Sequence, residues 1–242
     1  MTVMQTISSV VPRDYKALIF DVDGTLAETE EAHRDAFNRA FADWRLGWEW
    51  SMADYRELLR TTGGKERIAA YQAGLPALAR RLDMDEIRAL HAAKTAYYSD
   101  ILARGDLALR PGVRGLIDRA RNAGVRIAVA TTTSAPNVDA LCQCCWGVPA
   151  GEVFEVIASG DQVADKKPAP DIYHLALQKL GMSASDCLAF EDSGHGITAA
   201  RACGLDVIVT PSIYTDGDDL SAASWRYESL DESRGLFPEV GL

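Results

Sequence analysis

Two carboxylates, Asp21 and Asp23, stand one residue apart in ALIFDVDGTLAETEEAHR (17–34), directly after four apolar residues. Acids held that close repel, and burial raises the cost of charging either one. The pair therefore needs a counter-charge and a purpose. Three more places put polar side chains immediately behind an apolar run. Thr131, Thr132, Thr133 and Ser134 follow RIAVA (126–130). Lys166 and Lys167 lie in SGDQVADKKP after FEVIA (154–158), and Glu191, Asp192 and Ser193 follow CLAF (187–190). Any one of these reads as an ordinary solvated loop. Together they gather acids, hydroxyls and a lysine, with Lys166 expected to be the solvated neighbour of Lys167.

The elements that must position these residues follow from hydrophobic periodicity. ALIF (17–20), RIAVA, FEVIA, CLAF and DVIV (206–209) are short, nearly continuous apolar runs, as strands buried on both faces of a parallel sheet are. Between them PGVRGLIDRARNAG, PNVDALCQCC, PDIYHLALQKLG and GHGITAARACG carry apolar residues at helical spacing, several opening with Pro or Asn and closing with Gly. This alternation predicts an α/β fold, a parallel sheet flanked by helices. In such sheets ligands bind outside the carboxyl ends of the strands, where the four polar stations fall.

Residues 30–107 differ. EAHRDAFNRAFADW, MADYRELLR, KERIAAYQAG, LPALARRL and MDEIRALHAAKTAYYSDIL all read as helices, with no strand-like run among them. The expected organisation is a discontinuous core (15–30 and 108–242), an inserted helical cap (31–107) and a loose leader (1–14). Tryptophans in DWRLGWEW (43–50) are expected to anchor the cap's own core. The polar segment from Thr215 onward reads as a surface tail with one closing segment.

Composition narrows the class. The 242 residues are 48% hydrophobic and 25% charged, ordinary for a chain that buries a real core. No run approaches the ~20 apolar residues of a membrane helix. A net charge of −10 argues against nucleic acid or an anionic membrane as the main partner. Five cysteines form no disulfide-like framework, and CQCC (142–145) lacks the second Cys/His pair of a zinc site. Thiols on a helix in a reducing cytoplasm are the expectation.

The four stations, in order, resemble the haloacid dehalogenase superfamily. DVDGT matches its DxDx[TV] nucleophile motif, and the Thr after the second strand, the Lys of KKP and the acidic pair ED match its other signatures. The resemblance implies a Rossmann-like core with a C1-type helical cap. It also implies roles. Asp21 attacks phosphorus and becomes an aspartyl phosphate. Asp23 protonates the leaving alkoxide and then activates water. Mg²⁺ is held by Asp21, the Asp23 carbonyl and Asp192, with Glu191 nearby. Lys167 supplies a second positive charge, and Thr131 holds a phosphoryl oxygen.

The cap bears on substrate. TTGGKER (61–67) sets two glycines before Lys65 and Arg67 at a helix start, and HAAK (91–94) puts His91 and Lys94 on one helical face. A basic cap over a phosphate-hydrolysing core fits a substrate with a second phosphate. Within the superfamily FDVDGTLAETEE, RELLRTTGGKERIA, AVATTTSAPNVDALC, VADKKPAPDIY and EDSGHGITAA are similar to CbbY-type phosphatases. That implies hydrolysis of xylulose 1,5-bisphosphate, an inhibitory by-product of Rubisco in the Calvin cycle; separately, a monomer with no obligate protein partner is the expectation. Glu30 and His33 would read the sugar hydroxyls. Gly63, Gly64, Lys65, Glu66 and Arg67, with His91 and Lys94, would hold the distal phosphate and chain. Thr132, Thr133, Ser134 and Asn137 would complete the core edge. The alternatives are a β-phosphoglucomutase-like phosphomutase, which shares Thr29, Glu31, His33 and Lys65-x-Arg67, and a broader sugar-phosphate phosphatase.

Overall fold

A computed structural model describes residues 14–105 and 107–231. Six parallel strands form one sheet in the order β3-β2-β1-β4-β5-β6. They are β1 (Ala17–Phe20), β2 (Arg126–Ala130), β3 (Val156–Ala158), β4 (Cys187–Glu191), β5 (Asp206–Val209) and β6 (Trp225–Arg226). β1 pairs with β2 on one side and β4 on the other, Phe20 lying level with Val129 and Phe190. Its four residues are fully buried. The strand that leads into Asp21 is thus in the middle of the sheet, and chain order reverses around it, which opens a crevice at its carboxyl end.

Alternation along the strands divides the core. Leu18, Phe20, Val129 and Phe190 pack with α5 (Val113–Asn122), α6 (Ala135–Trp146) and α7 (Ala150–Val153). Ala17, Ile19, Ala128 and Ala189 face the other way, onto α8 (Asp171–Leu180) and α9 (Gly194–Ala202). Both faces being covered explains why the strands read as unbroken apolar runs rather than alternating ones.

Between β1 and β2 stand α1 (Glu30–Asp43), α2 (Met52–Leu58), α3 (Gly64–Ala73) and α4 (Met84–Leu102), with α1 packed along α4. Phe37, Phe41, Trp48, Trp50, Tyr55, Ile68 and Leu90 form a separate aromatic cluster there. Trp48 and Trp50 are buried in it, as the sequence indicated. Ser51 with Asp54 and Asp83 with Glu86 close capping boxes that start α2 and α4.

Four expectations need correction. LPALARRL (75–82) is not helical. Pro76 follows Gly74 too closely for α3 to continue, and only the ends of the segment, Leu75 and Leu82, reach the cap's core while Leu78 is fully exposed, so no helical apolar stripe forms. The Gln72 side chain holds it instead, accepting from Leu82 N (2.8 Å) and donating to Leu82 O (3.0 Å). FEVIA forms a strand only from Val156, because Phe154 ends α7 by donating to Ala150 O. The tail is more than surface: Trp225–Arg226 extends the sheet beside β5, and the turn after β5 reaches the central cleft. Lys166 is not simply solvated, since its ammonium caps the carbonyls of Gly160 and Val163. The expected leader falls on residues 1–13, outside the described residues, apart from the exposed Asp14.

Candidate active site

The carboxyl ends of β1, β2 and β4 and the loop after β3 meet beneath a cleft of about 690 Å³, roofed by α1, α3 and α4. At its floor Lys167 donates to Asp21 Oδ1 and to Glu191 Oε1, both at 2.6 Å. Tyr173 donates to the same Glu191 oxygen at 2.5 Å. All four side chains are buried. Burial works against a lysine ammonium, yet the two carboxylates hold Lys167 above its ordinary pKa. Asp21 moves up to about 7 through burial, against the pull of Lys167. Asp192 is also held well above the usual carboxylate range, by burial and by the charges of Asp21 and Glu191. One lysine does not balance three acids.

That imbalance is a test of metal fit. Oxygens of Asp21, Glu191 and Asp192 lie within 4.8 Å of one another, and Glu191 Oε2 is buried with no hydrogen-bond partner. A set of hard carboxylate oxygens with surplus negative charge suits a hard divalent cation. Two glycines permit the crowding. A Cβ on Gly24 (φ +80°) would stand 2.2 Å from Asp192 Oδ2, and one on Gly196 would stand 1.9 Å from Glu191 Oε2.

Asp23 is set differently. Its Oδ1 accepts from the Thr29 hydroxyl at 2.5 Å and lies 2.9 Å from His33 Nε2. Thr29 is the N-cap of α1, and its hydroxyl serves Asp23 instead of the helix, which has no side-chain cap. Burial opposes a charged Asp23, but His33 and Thr29 bring its pKa down to about 2. On the far side of the ring, His33 Nδ1 is 2.5 Å from Lys94 Nζ. With Lys94 donating, the ring proton sits on Nε2 and is given to Asp23. His33 also stacks on Tyr98 at 4.0 Å.

The remaining expected residues sort by geometry. Thr132, Thr133, Ser134 and Asn137 line the cleft at the start of α6. Ser134 Oγ and Asn137 Oδ1 are buried and unpartnered, while Asn137 Nδ2 donates to Thr133 Oγ1 (2.8 Å). Thr131 lies below that loop, its Oγ1 accepting the Thr133 N–H at 3.1 Å. Glu30, Gly63, Gly64, Lys65, Glu66, Arg67, His91 and Lys94 also line the cleft, from the cap side. The cap cations do not point together, however. Lys65 pairs with Asp161 at 2.7 Å. Arg67 is buried, donating to Tyr55 Oη (2.9 Å) and to Leu58 O and Thr61 O. Burial, with Lys94 and Lys65 nearby, takes His91 down to about 3, so it is neutral at physiological pH.

Several residues in or behind the cleft escaped the sequence reading. Tyr55 joins Glu30 Oε2 (2.8 Å) to Arg67, and Tyr173 braces Glu191. Ser212, Tyr214 and Thr215 arrive from the turn after β5. Thr29, named from the sequence only in the mutase-like pattern, carried a signal of its own as a hydroxyl residue at a helix start. The others lie at no informative spacing.

Residues 15–204 match the haloacid dehalogenase-like hydrolase family. Protein CbbY of Rhodobacter capsulatus is 58% identical over 220 residues, 90% of this chain and 94% of that protein. Protein CbbY of Cereibacter sphaeroides is 51% identical over 224 residues, 91% and 95% of the two chains. A crystal structure of a CbbY mutant from Rhodobacter sphaeroides, in complex with xylulose-(1,5)bisphosphate, superposes with a TM-score of 0.88 at 49% identity. It covers 92% of this chain and 99% of that one. Family match, relatives and superposition agree with the parallel sheet and its flanking helices, and the chain belongs to the haloacid dehalogenase-like hydrolases as a phosphatase.

Proposed function

We propose that this protein is a Mg²⁺-dependent sugar-bisphosphate phosphatase that converts xylulose 1,5-bisphosphate to xylulose 5-phosphate and phosphate. Asp21 attacks phosphorus while the sugar alkoxide leaves and takes a proton from Asp23, which is ionised in the free protein and takes up that proton from solvent as the phosphate dianion enters beside it. Asp23 then takes a proton from the water that opens the aspartyl phosphate, restoring Asp21. Asp21, Asp192 and the Asp23 carbonyl would hold the cation, whose chemistry is to neutralise charge on the carboxylate and the phosphoryl oxygens. Lys167 provides the fixed positive charge, and Glu191 with Tyr173 keeps it in place. The His33 N–H and the Thr29 hydroxyl orient Asp23. Ser134 and Asn137 present open hydrogen-bonding atoms to the phosphoryl group or the sugar. Lys65, on the cap side of the cleft, faces the distal phosphate, and the cap excludes bulk water from the reacting atoms.

One observation carries this reading: a buried lysine held at 2.6 Å by Asp21 and Glu191 at the floor of a roofed cleft. A structural ion pair has no use for a third acid beside it. A centre that must receive both a cation and a phosphate dianion does. The core (15–30 and 108–242) supplies the chemistry and the cap (31–107) the selectivity. The five free thiols fit a reducing compartment such as the cytoplasm, and among the described residues no helix is long and apolar enough to cross a membrane.

The test offers the purified protein with Mg²⁺ xylulose 1,5-bisphosphate, ribulose 1,5-bisphosphate, glucose phosphates and phosphoglycolate, following phosphate release. Preferred turnover of the xylulose compound is expected. Comparable turnover of all four overturns the substrate assignment. Sugar-phosphate isomerisation without net phosphate release overturns the hydrolytic one.

A further inference from the structure

Thr215 lies on the turn after β5, in the stretch that reads from sequence as a polar tail. Its Oγ1 shares one proton between the backbone carbonyl of Asp192 (2.8 Å) and Asp192 Oδ2 (3.1 Å). The same oxygen accepts the Ser212 N–H (2.9 Å) and faces Ser212 Oγ at 2.9 Å. Opposite Thr215, Asp192 Oδ2 rests against the backbone of Gly24, where even a methyl group would not fit.

The turn does not depend on Asp192 for its place. Arg110 donates to Thr210 O (2.8 Å), Pro211 O (2.6 Å) and the carbonyl of Gly24. Tyr214 packs edge-on against Tyr55, with ring centroids 5.8 Å apart, and hydrogen-bonds Glu31. The Thr215 hydroxyl is thus a fixed post, and the carboxylate beside it can be oriented before any ligand arrives.

We propose that Thr215 is a positioning residue that presets the Asp192 carboxylate for a divalent cation. The inference rests on the reading of Asp21 and Asp192 as the metal-holding pair. Its physical basis is reorganisation. An aspartate free to rotate must be ordered when the cation binds, whereas one tethered at Oδ2 and at its own carbonyl is ordered already.

The experiment is a calorimetric Mg²⁺ titration of the intact protein without substrate, for wild type, Thr215→Val, Thr215→Ser and Ser212→Ala, with thermal melts of each. Thr215→Val keeps the side chain's shape and removes the proton. Its dissociation constant is expected to rise on the order of tenfold or more. Thr215→Ser should stay within about twofold of wild type, and Ser212→Ala should weaken binding less than the valine variant, because Ser212 steadies the threonine hydroxyl and touches Asp192 only as a secondary partner. Melts unchanged without Mg²⁺ identify the loss as one of positioning. If Thr215→Val does not fold, the serine and Ser212→Ala variants decide: Mg²⁺ binding retained by the first and weakened in the second supports the proposal. Wild-type affinity in Thr215→Val, or in Ser212→Ala where the valine variant is unfolded, overturns it. So does a Thr215→Ser variant as weak as the valine one. A wild-type protein that binds no Mg²⁺ overturns the metal reading beneath it, a failure visible in a different sample.

Discussion

Two buried lysines face the same cleft and are used in opposite ways. Lys167, on the core side, is 4% exposed and lies between two carboxylates at 2.6 Å. Lys94, on the cap side, is 2% exposed and has an imidazole nitrogen at 2.5 Å, with the rings of Phe37 and Tyr98 about its ammonium at 4.8 and 5.1 Å. Burial disfavours the charge on both. Two adjacent anions overcome it for Lys167, which is held above its ordinary value. Lys94 has the charges of Asp23 and Glu30 only at a distance, and it falls to about 7. Partner chemistry, not burial, decides which lysine is a permanent cation. Lys167 keeps its charge at any physiological pH, whereas Lys94 responds to pH in that range.

The largest expected effect comes from breaking the core end. Asp21→Asn removes the proposed nucleophile and one of the two anions beside Lys167. Phosphate release from the bisphosphate should drop on the order of 10⁴-fold or more, with the sugar bisphosphate still bound. Residual turnover above about one-hundredth of wild type would place the nucleophile elsewhere.

How far each end could be read from the letters differs for the same reason. Asp21, Asp23, Lys167 and the Glu191–Asp192 pair were legible because each closes a short apolar strand, and a parallel sheet brings strand ends together. The fold was legible on the same grounds, since strands covered on both faces leave nearly pure apolar runs. What β1 could not reveal was the pairing inside the centre. That Glu191 braces Lys167 through Tyr173 depends on α8 packing behind the sheet, and no spacing encodes it. Cap residues were legible as a basic set but not in direction. Arg67 turns inward to Tyr55 and two loop carbonyls because α3 docks by tertiary packing. The turn carrying Ser212 and Thr215 was missed because small polar residues look alike in a tail and in a site.

The cap end gives the next effect, in stability. The unfolded chain keeps the Lys94 proton up to its ordinary value of 10.5, the folded chain only to about 7. Between those limits the unfolded state binds more protons, so this residue makes stability rise with pH. From pH 7 to pH 9 the gain is on the order of 2 kcal/mol. Urea unfolding at pH 7, 8 and 9 should show a Lys94→Met variant with a flatter profile than wild type by about that amount. Parallel profiles would mean that Lys94 stays charged in the fold, and the contrast with Lys167 would be lost.

Selectivity tests whether the cap end sees a phosphate at all. Lys65 is partly exposed and paired with Asp161 across the cleft, so it can exchange a carboxylate for a phosphate without moving far. Lys65→Ala should lower kcat/KM for a bisphosphate about tenfold and for the matching monophosphate about twofold, the gap being one charge-assisted hydrogen bond. Equal losses on the two substrates would remove the distal phosphate from this residue.

The smallest effect belongs to the rim, where the cap meets the turn after β5. Arg56 reaches Asp216 Oδ1 at 2.5 Å and Ile213 O at 2.6 Å, and its side chain is 46% exposed. Exposed pairs contribute little, because water and salt screen them and two long side chains must be ordered. Arg56→Ala should therefore cost less than about 1 kcal/mol at low ionic strength, with the difference from wild type shrinking in high salt. The turn has better anchors in Arg110, which is only 11% exposed in its pair with Glu28, and in Tyr214, which is buried in the cap's aromatic cluster. A loss of about 3 kcal/mol or more, insensitive to salt, would show that the rim contact bears the turn as a buried pair does. The ordering of the two ends of the cleft would then have to include the rim as a third centre.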